Sequence, residues 1–506
     1  MNFEKNNSPG FLKRSLFSII TNVIKAFLSL LTGLLIARGL GPNDYGILTF
    51  LLASFAAIGS LFDVGTSSAF FSFISKKSQP KSIYFLYSIW LLFQFSILFL
   101  FISFVAPTSW INEIWQGQMK SRILLAFFTV FIQQKIWTMM SHICESQRLT
   151  YFIQLINLII AFIHFGLIFL MYFLNALTIK IIFIFILFEF VVATFLCWKY
   201  VNIRYSDETK SFRKGFHEYK NYCSPLLLYT IVGFFAGFLD TWLLQRYGGS
   251  IEQAYYGVGY RFSAISLIAL QSIIKVLWKE VSELNEKNEN ERVANIYIKT
   301  NHSLFLFGVF ISGMFIPWSS EIISLTIGKP YLDGSFVLAL MFLYPIHQSL
   351  GQINSTMYYA LELTKPHAII SIFFMFFSIL LAYFFIGPSD GLVPGLNLGS
   401  TGLALKMILI QFLAVSFSNW WLHKNQGWEF SISYQFVGIA IFILTGFGCK
   451  LAAELILSNT NILSKIIFMT FLYIILSAVI IYSMPWLLKL TRIEIKDYIY
   501  KLRTYI

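Results

Sequence analysis

Residues 179–198 read IKIIFIFILFEFVVATFLCW, an apolar run interrupted only by Lys180, Glu189 and Thr194. At 1.5 Å per residue, about twenty helical residues match a hydrocarbon core roughly 30 Å thick. A membrane strand would alternate apolar with polar over about ten residues, which this run does not do. A segment in lipid must also satisfy its own backbone, so the run reads as a spanning helix. Comparable stretches recur from Leu16 to Leu488. Working outward in both directions predicts about fourteen spans, the first near 15–37 and the last near 464–486. The fold class is therefore an all-α membrane protein.

Composition agrees. Charged residues make up 12% and hydrophobic residues 57% of the 506 positions, with a mean hydropathy of +0.70, against about a quarter charged in a soluble domain. The first apolar run follows Lys13 and Arg14 but is too long for a signal peptide and has no small-residue cleavage site, so it reads as a retained span. With the N-terminus inside, the inner segments hold about 25 of the 37 Lys and Arg and the outer segments about nine, which fixes the expected orientation and puts both termini in the cytoplasm. The net charge of +13 is then topological and does not mark a nucleic-acid face.

The most charged loops, 199–220 and 279–299, fall on the inner side and flank the seventh and eighth spans. The expected organisation is an N-lobe at 1–205, a C-lobe at 206–425, and two further spans with an amphipathic tail at 426–506. In the tail, Leu490, Ile493, Ile499 and Leu502 mix with Lys496, Lys501 and Arg503, which suits either a helix on an anionic leaflet or a frayed basic end. The longest outer connection, near Pro107 to Ser121, is too short for a folded domain. The turn after the first span reads Ala37-Arg38-Gly39-Leu40-Gly41-Pro42-Asn43-Asp44-Tyr45-Gly46. Six spans later come Gln245-Arg246-Tyr247-Gly248-Gly249 and Tyr256-Gly257. An even number of spans between them implies parallel repeats related by an axis along the membrane normal.

Charge inside the spans points to function. Lys25 lies near the centre of the first span, where a cation costs about 2.5–3.5 kcal/mol on insertion scales. Ser18, Asn22, Lys25, Ser29 and Thr32 share one helical face, which should line water. In the fourth span Lys135, Thr138, His142 and Glu145 share a face beside Gln134, and the eighth carries Arg261, Gln271 and Lys275. A cavity lined by Lys25, Lys135, Arg261 and Asn22 would focus its field on an anion, and a phosphate or pyrophosphate headgroup is the natural ligand. Asp63, Glu189 and Asp240 either neutralise these cations or bind a coupling H⁺ or Na⁺, and the sequence leaves both roles open. Asp240 follows Gly233 and Gly237, a small-residue spacing that suits a packing seam or hinge.

Other motifs carry less. His142, His164 and His347 lack a second ligand at metal spacing and read as packing or hydrogen-bonding groups. Cys144, Cys197, Cys223 and Cys449 are widely spaced, without a disulfide or metal pattern. The 55 phenylalanines read as a lipid-facing aromatic surface. No Gly-Lys-Ser or Gly-Lys-Thr phosphate loop occurs. Neither a cofactor nor a metal is expected.

Through residues 37–46, Asp63-Val64-Gly65-Thr66, Asp240-Thr241-Trp242 with Tyr256-Gly257-Val258-Gly259-Tyr260, and Gly399-Ser400-Thr401-Gly402, the chain resembles polysaccharide-biosynthesis flippases of the Wzx type. Their superfamily also holds the multidrug-and-toxin exporters and the lipid II flippase. The resemblance implies two six-helix lobes facing a central cavity, often with two extra C-terminal helices, in a bacterial cytoplasmic membrane. It also implies alternating-access transport of undecaprenyl-pyrophosphate-linked oligosaccharide, such as an O-antigen or exopolysaccharide unit. Membrane lipids, a polysaccharide polymerase and chain-length machinery are the implied partners. Lys25 and Arg261 are similar in placement to the cavity cations of such flippases. Two other functions compete. A multidrug antiporter would need an acidic cavity, and a polymerase or ligase would need catalytic groups outside, where Arg122, Arg246 and Lys329 are the candidates.

Overall fold

A computed structural model describes residues 11–494 apart from 77–78, 202, 204, 206–211, 267–269 and 430. Every regular element among the described residues is helical. Twelve helical runs among them are long and apolar enough to cross a membrane, which makes the chain a multi-pass membrane protein. Two of these, Ile20–Asp63 with 44 residues and Arg213–Ala264 with 52, each hold enough helix for two crossings. Each is broken at a glycine the quoted turns contain, Gly41 with φ 72° and Gly249 with φ 79°. A side chain rarely adopts that left-handed backbone, so glycine ends one helix there and lets the next begin.

One compact unit comprises Met1–Ala254 and Ala382–Gly399. It contains α1 (Phe11–Asp63), α2 (Thr66–Lys76), α3 (Lys81–Leu100), α4 (Thr108–Ile114), α5 (Lys120–Phe131), α6 (Trp137–Ser146), α7 (Thr150–Phe173), α8 (Ile179–Tyr200), α9 (Phe212–Cys223), α10 (Leu227–Leu243) and the start of α11 (Gly249–Ser266). Helix α1 packs along α7 and also meets α10 and α5. Residues 179–198 lie in α8, whose start is capped by Thr178 Oγ1 accepting from the Ile181 N–H at 3.3 Å. Helices α5 and α6 join through a π-helical turn at Ile132–Ile136, and α10 ends in another at Leu244–Gly248. Aromatic residues divide between two solvents. Phe55, Phe127 and Trp115 are buried and stack together, whereas Phe104 and Phe188 are exposed. The phenylalanines thus build core as well as lipid-facing surface.

The second unit comprises Tyr255–Leu381 and Ser400–Ile506. It holds most of α11, then α12 (Leu270–Glu286), α13 (Asn290–Phe315), α14 (Ser319–Thr326), α15 (Ser335–Met341), α16 (Tyr344–Ala360), most of α17 (Thr364–Ile386), α18 (Gly399–Gln426), α19 (Ser433–Ile456) and α20 (Ile462–Ser483). Helix α13 is its centre, packed by α12, α16 and α19. Helices α13 and α19 approach until their backbones touch at Gly313 and Gly446, the small-residue contact that dispersion favours in lipid. Tyr473 on α20 donates to the Phe310 carbonyl at 2.9 Å. The last two spans are therefore part of this unit's core. The contact boundary falls inside α11 because α10 packs on α1, whereas the lobes expected from the repeat end at 205 and 425.

After α20 the chain folds back on α13. His302 Nδ1 lies 2.9 Å from the Leu487 carbonyl, and Lys299 Nζ lies 3.1 Å from Glu494 Oε1. Glu494 also accepts from the Thr491 N–H at 2.7 Å. That backbone bond first, then Lys299 and the Thr491 hydroxyl, holds its carboxyl down to about 2. Lys489 pairs with Glu429, whose carboxyl is likewise lowered by that ammonium. Most of the amphipathic tail, residues 495–506, lies outside the described residues.

Candidate functional site

Of the polar face expected on α1, Lys25 and Ser29 are exposed and Ser18 and Asn22 part-buried, whereas Thr32 is buried. Asn22 Nδ2 donates to Ser18 Oγ at 3.4 Å, and Thr32 turns its hydroxyl onto the Leu28 carbonyl at 2.7 Å. Thr21, Leu28 and Thr32 form the buried stripe of this stretch, while Lys25 and Ser29 are exposed. Ile20, Val23 and Phe27 are exposed as well, so this part of α1 is gripped along one edge only. Lys25 is thus an exposed residue near the middle of an apolar span.

Lys135 behaves differently. It sits on the π-helical turn between α5 and α6, a distortion that often re-aims a side chain at a functional position. Its ammonium lies 3.5 Å from Asp63 Oδ1, with both side chains largely buried. Asp63 is further held by Thr66 Oγ1 at 3.1 Å, Ser67 Oγ at 2.7 Å and the Ser67 N–H at 3.3 Å. Trp90 Nε1 donates to Thr66 Oγ1 at 3.1 Å and extends the network to α3. Of the two roles left open for Asp63, neutralising a span cation or binding a coupling ion, this contact is the first, with Lys135, one of the expected substrate cations, as its partner. Removing one member of such a buried pair typically costs about 3–5 kcal/mol, because its partner is left uncompensated.

Glu189 is buried on α8 and lies 3.0 Å from His164 Nδ1 on α7. His347 Nε2 lies 3.1 Å from Gln435 Oε1, and the His142 ring packs on Phe71 with centroids 4.7 Å apart. The histidines thus pack and hydrogen-bond. All four cysteines are free and buried. Arg261 on α11 and Asp240 on α10 are part-buried and engage neighbours. The side chains of Gln271 and Lys275 lie outside the described ones. Gly237 is exposed, and a Cβ there would meet nothing within 4 Å, so no close helix approach occurs at that glycine.

Two features escaped the sequence reading. At the end of the first unit carrying the Gly41 turn, the two repeated turns touch, since a Cβ on Gly46 would lie 1.7 Å from the Ser250 carbonyl oxygen. Beside them Arg246, on the second π-helical turn, pairs with Glu113 of α4 and stacks 5.1 Å over the Trp242 ring. Trp242 Nε1 also donates to the Glu113 carbonyl at 3.1 Å. Second, Lys406 on α18 is 1% exposed, deep in the second unit. A single Lys within an otherwise apolar predicted span was the available signal. In the same unit Tyr297 Oη lies 2.7 Å from Asn354 Oδ1 and 2.6 Å from Asn419 Oδ1, a buried polar junction of α13, α16 and α18.

Three solved structures share this architecture at low identity. The lipid II flippase MurJ in an inward closed conformation superposes with a TM-score of 0.67 at 17% identity, covering 94% of this chain and 99% of that one. A multidrug resistance MATE family transporter of the MOP superfamily, facing inward, gives 0.58 at 14% identity, covering 82% and 98%. A MOP superfamily transporter from Pyrococcus furiosus gives 0.54 at 14% identity, covering 84% and 99%. At these identities the likeness is one of fold. No curated protein matches the chain by sequence. The family model for polysaccharide biosynthesis proteins matches residues 11–278, more than half the chain and the region holding the quoted turns, Lys25, Asp63, Lys135 and Arg261, and the chain belongs to that family.

Proposed function

We propose that this chain is a flippase that carries an undecaprenyl-pyrophosphate-linked oligosaccharide across the bacterial cytoplasmic membrane by alternating access. In this reading Lys25 and Arg261 each offer positive charge to the substrate, and Asn22 a hydrogen-bond donor. A diphosphate carries the charge such cations select. Lys25 meets it as a point charge, and the Arg261 guanidinium can grip two of its oxygens. The glycan stays in water and the polyprenyl chain in lipid.

The observation that carries this reading is the exposed Lys25 on the polar face of an otherwise apolar span, in a member of a polysaccharide biosynthesis family. Two of the three intramembrane carboxylates argue against a cavity for cationic drugs, because Asp63 pairs with Lys135 and Glu189 with His164. Lys135 therefore positions Asp63 and α2, while the hydrogen-bonded His164–Glu189 pair is the candidate for coupling transport to an H⁺ gradient. Reconstitution in vesicles tests the function. Leaflet exchange of defined lipid-linked glycans should require this protein and respond to an imposed H⁺ gradient. Export of lipophilic cations without glycan exchange would replace the proposal with multidrug antiport. Polymerised glycan made by the purified protein alone would replace it with a polymerase.

A further inference from the structure

The two charged loops expected on the inner side are not equivalent. Residues 279–292 hold Lys279, Lys287 and Arg292 against five glutamates, so that stretch is net acidic. Helix α9 holds Arg213, Lys214 and Lys220 against Glu218 alone and is net basic. Its faces are separated by helical spacing. Gly215, Tyr219 and Cys223 are buried. Gly215 lies against Ile83 and Leu86 at the start of α3, and the Tyr219 ring meets Phe73 of α2 edge-on at 5.1 Å. The opposite side presents Arg213, Lys214, His217 and Lys220, all exposed. Phe216, 57% exposed, borders that basic face, and Tyr205 is exposed nearby with Lys81 5.3 Å over its ring.

We infer that the basic face of α9 is a docking surface for anionic phospholipid headgroups of the inner leaflet. Basic residues flanked by exposed aromatic side chains are the pattern that seats a helix at a membrane interface, with the rings at headgroup depth and the cations among phosphates. The opposite face of α9 is already covered by protein, so the basic face is the one left for an external partner, and its charge complements a phosphate surface. A three-residue turn, Ser224–Leu226, joins α9 to α10. Lipid held at α9 therefore fixes the base of the span that carries Asp240 and Arg246.

Lipid binding is measured without glycan substrate, so the outcome is independent of the proposed transport. The full-length protein is placed in nanodiscs of phosphatidylcholine with phosphatidylglycerol, and the association of labelled phosphatidylglycerol is compared with that of labelled phosphatidylcholine. Each Lys or Arg near an anionic surface is worth about fivefold in binding, so Arg213→Ser/Lys214→Ser/Lys220→Ser should weaken phosphatidylglycerol association by up to about 100-fold. Added salt should erode the wild-type preference and leave the variant unchanged. Arg213→Lys/Lys214→Arg/Lys220→Arg, which keeps the charge, should bind as wild type and shows that the effect is electrostatic. The inference is overturned if the monodisperse serine variant retains phosphatidylglycerol as wild type does. It is equally overturned if wild type shows no preference for phosphatidylglycerol and the basic face becomes protected only when an acidic partner protein is added.

Discussion

Replacing Gly46 with alanine should separate the two repeated turns. The added Cβ would lie 1.7 Å from the Ser250 carbonyl oxygen, 2.6 Å from its carbonyl carbon and 3.0 Å from its Cα. An ordinary carbon–oxygen contact is about 3.3 Å, so the backbones must part by roughly 1.6 Å at this point. Neither partner is a flexible side chain, which places the cost toward the upper end of the about 1–3 kcal/mol typical of overpacking. Gly41 supplies an internal control. It has φ 72° and ψ 170°, a region essentially reserved for glycine, and a Cβ there would meet nothing within 4 Å, so alanine there costs backbone strain of about 1–3 kcal/mol without any clash. Thermal unfolding of the purified variants should therefore place both Gly46→Ala and Gly41→Ala below wild type. Ser250→Gly should fail to rescue Gly46→Ala, because the clash is with the main chain. A Gly46→Ala protein that melts with wild type, or that Ser250→Gly restores, would refute the reasoning.

Three further outcomes follow from the buried pairs and the docked tail. Asp63→Asn and Lys135→Met should each destabilise the protein by about 3–5 kcal/mol, and the double variant by clearly less than their sum; additive losses in denaturation would show that the pair does not interact. Glu189→Gln, which mimics the neutral acid, should leave glycan exchange insensitive to an imposed H⁺ gradient, and an undiminished gradient response would exclude the His164–Glu189 pair from coupling. Glu494 has its carboxyl lowered from 4.5 to about 2, so its contribution to tail docking is full above pH 4.5 and is lost as pH falls through about 2. Hydrogen exchange at residues 489–494 should be faster in Glu494→Gln than in wild type at neutral pH, and equal rates would deny the carboxylate that role.

The spans were legible because lipid imposes a one-dimensional rule on sequence, and residues 179–198 alone decide between helix and barrel. The breaks at Gly41 and Gly249 were legible for a similar reason, since glycine punctuation marks backbone that other residues avoid. Pairing was not. Lys135 and Asp63 are 72 positions apart, and nothing in helical spacing states which carboxylate a membrane lysine will meet. Glu189 and His164 sit on successive spans, each identifiable as polar, yet only packing aligns them. The phenylalanines failed as a surface marker because a ring is equally at home in lipid and in a protein core, as buried Phe127 and exposed Phe188 show. Lys406 was visible as a cation within a span, and its depth became evident only once α18 had neighbours.

The most direct measurement is equilibrium binding of a short polyprenyl diphosphate, compared with its monophosphate and uncharged alcohol, to wild type, Lys25→Ala and Arg261→Ala. Wild type should prefer the diphosphate, and each alanine variant should lose about tenfold or more of that preference while keeping its unfolding temperature. Equal binding of all three lipids by wild type, or a diphosphate preference intact in both variants, would contradict the assignment of these intramembrane cations to the headgroup.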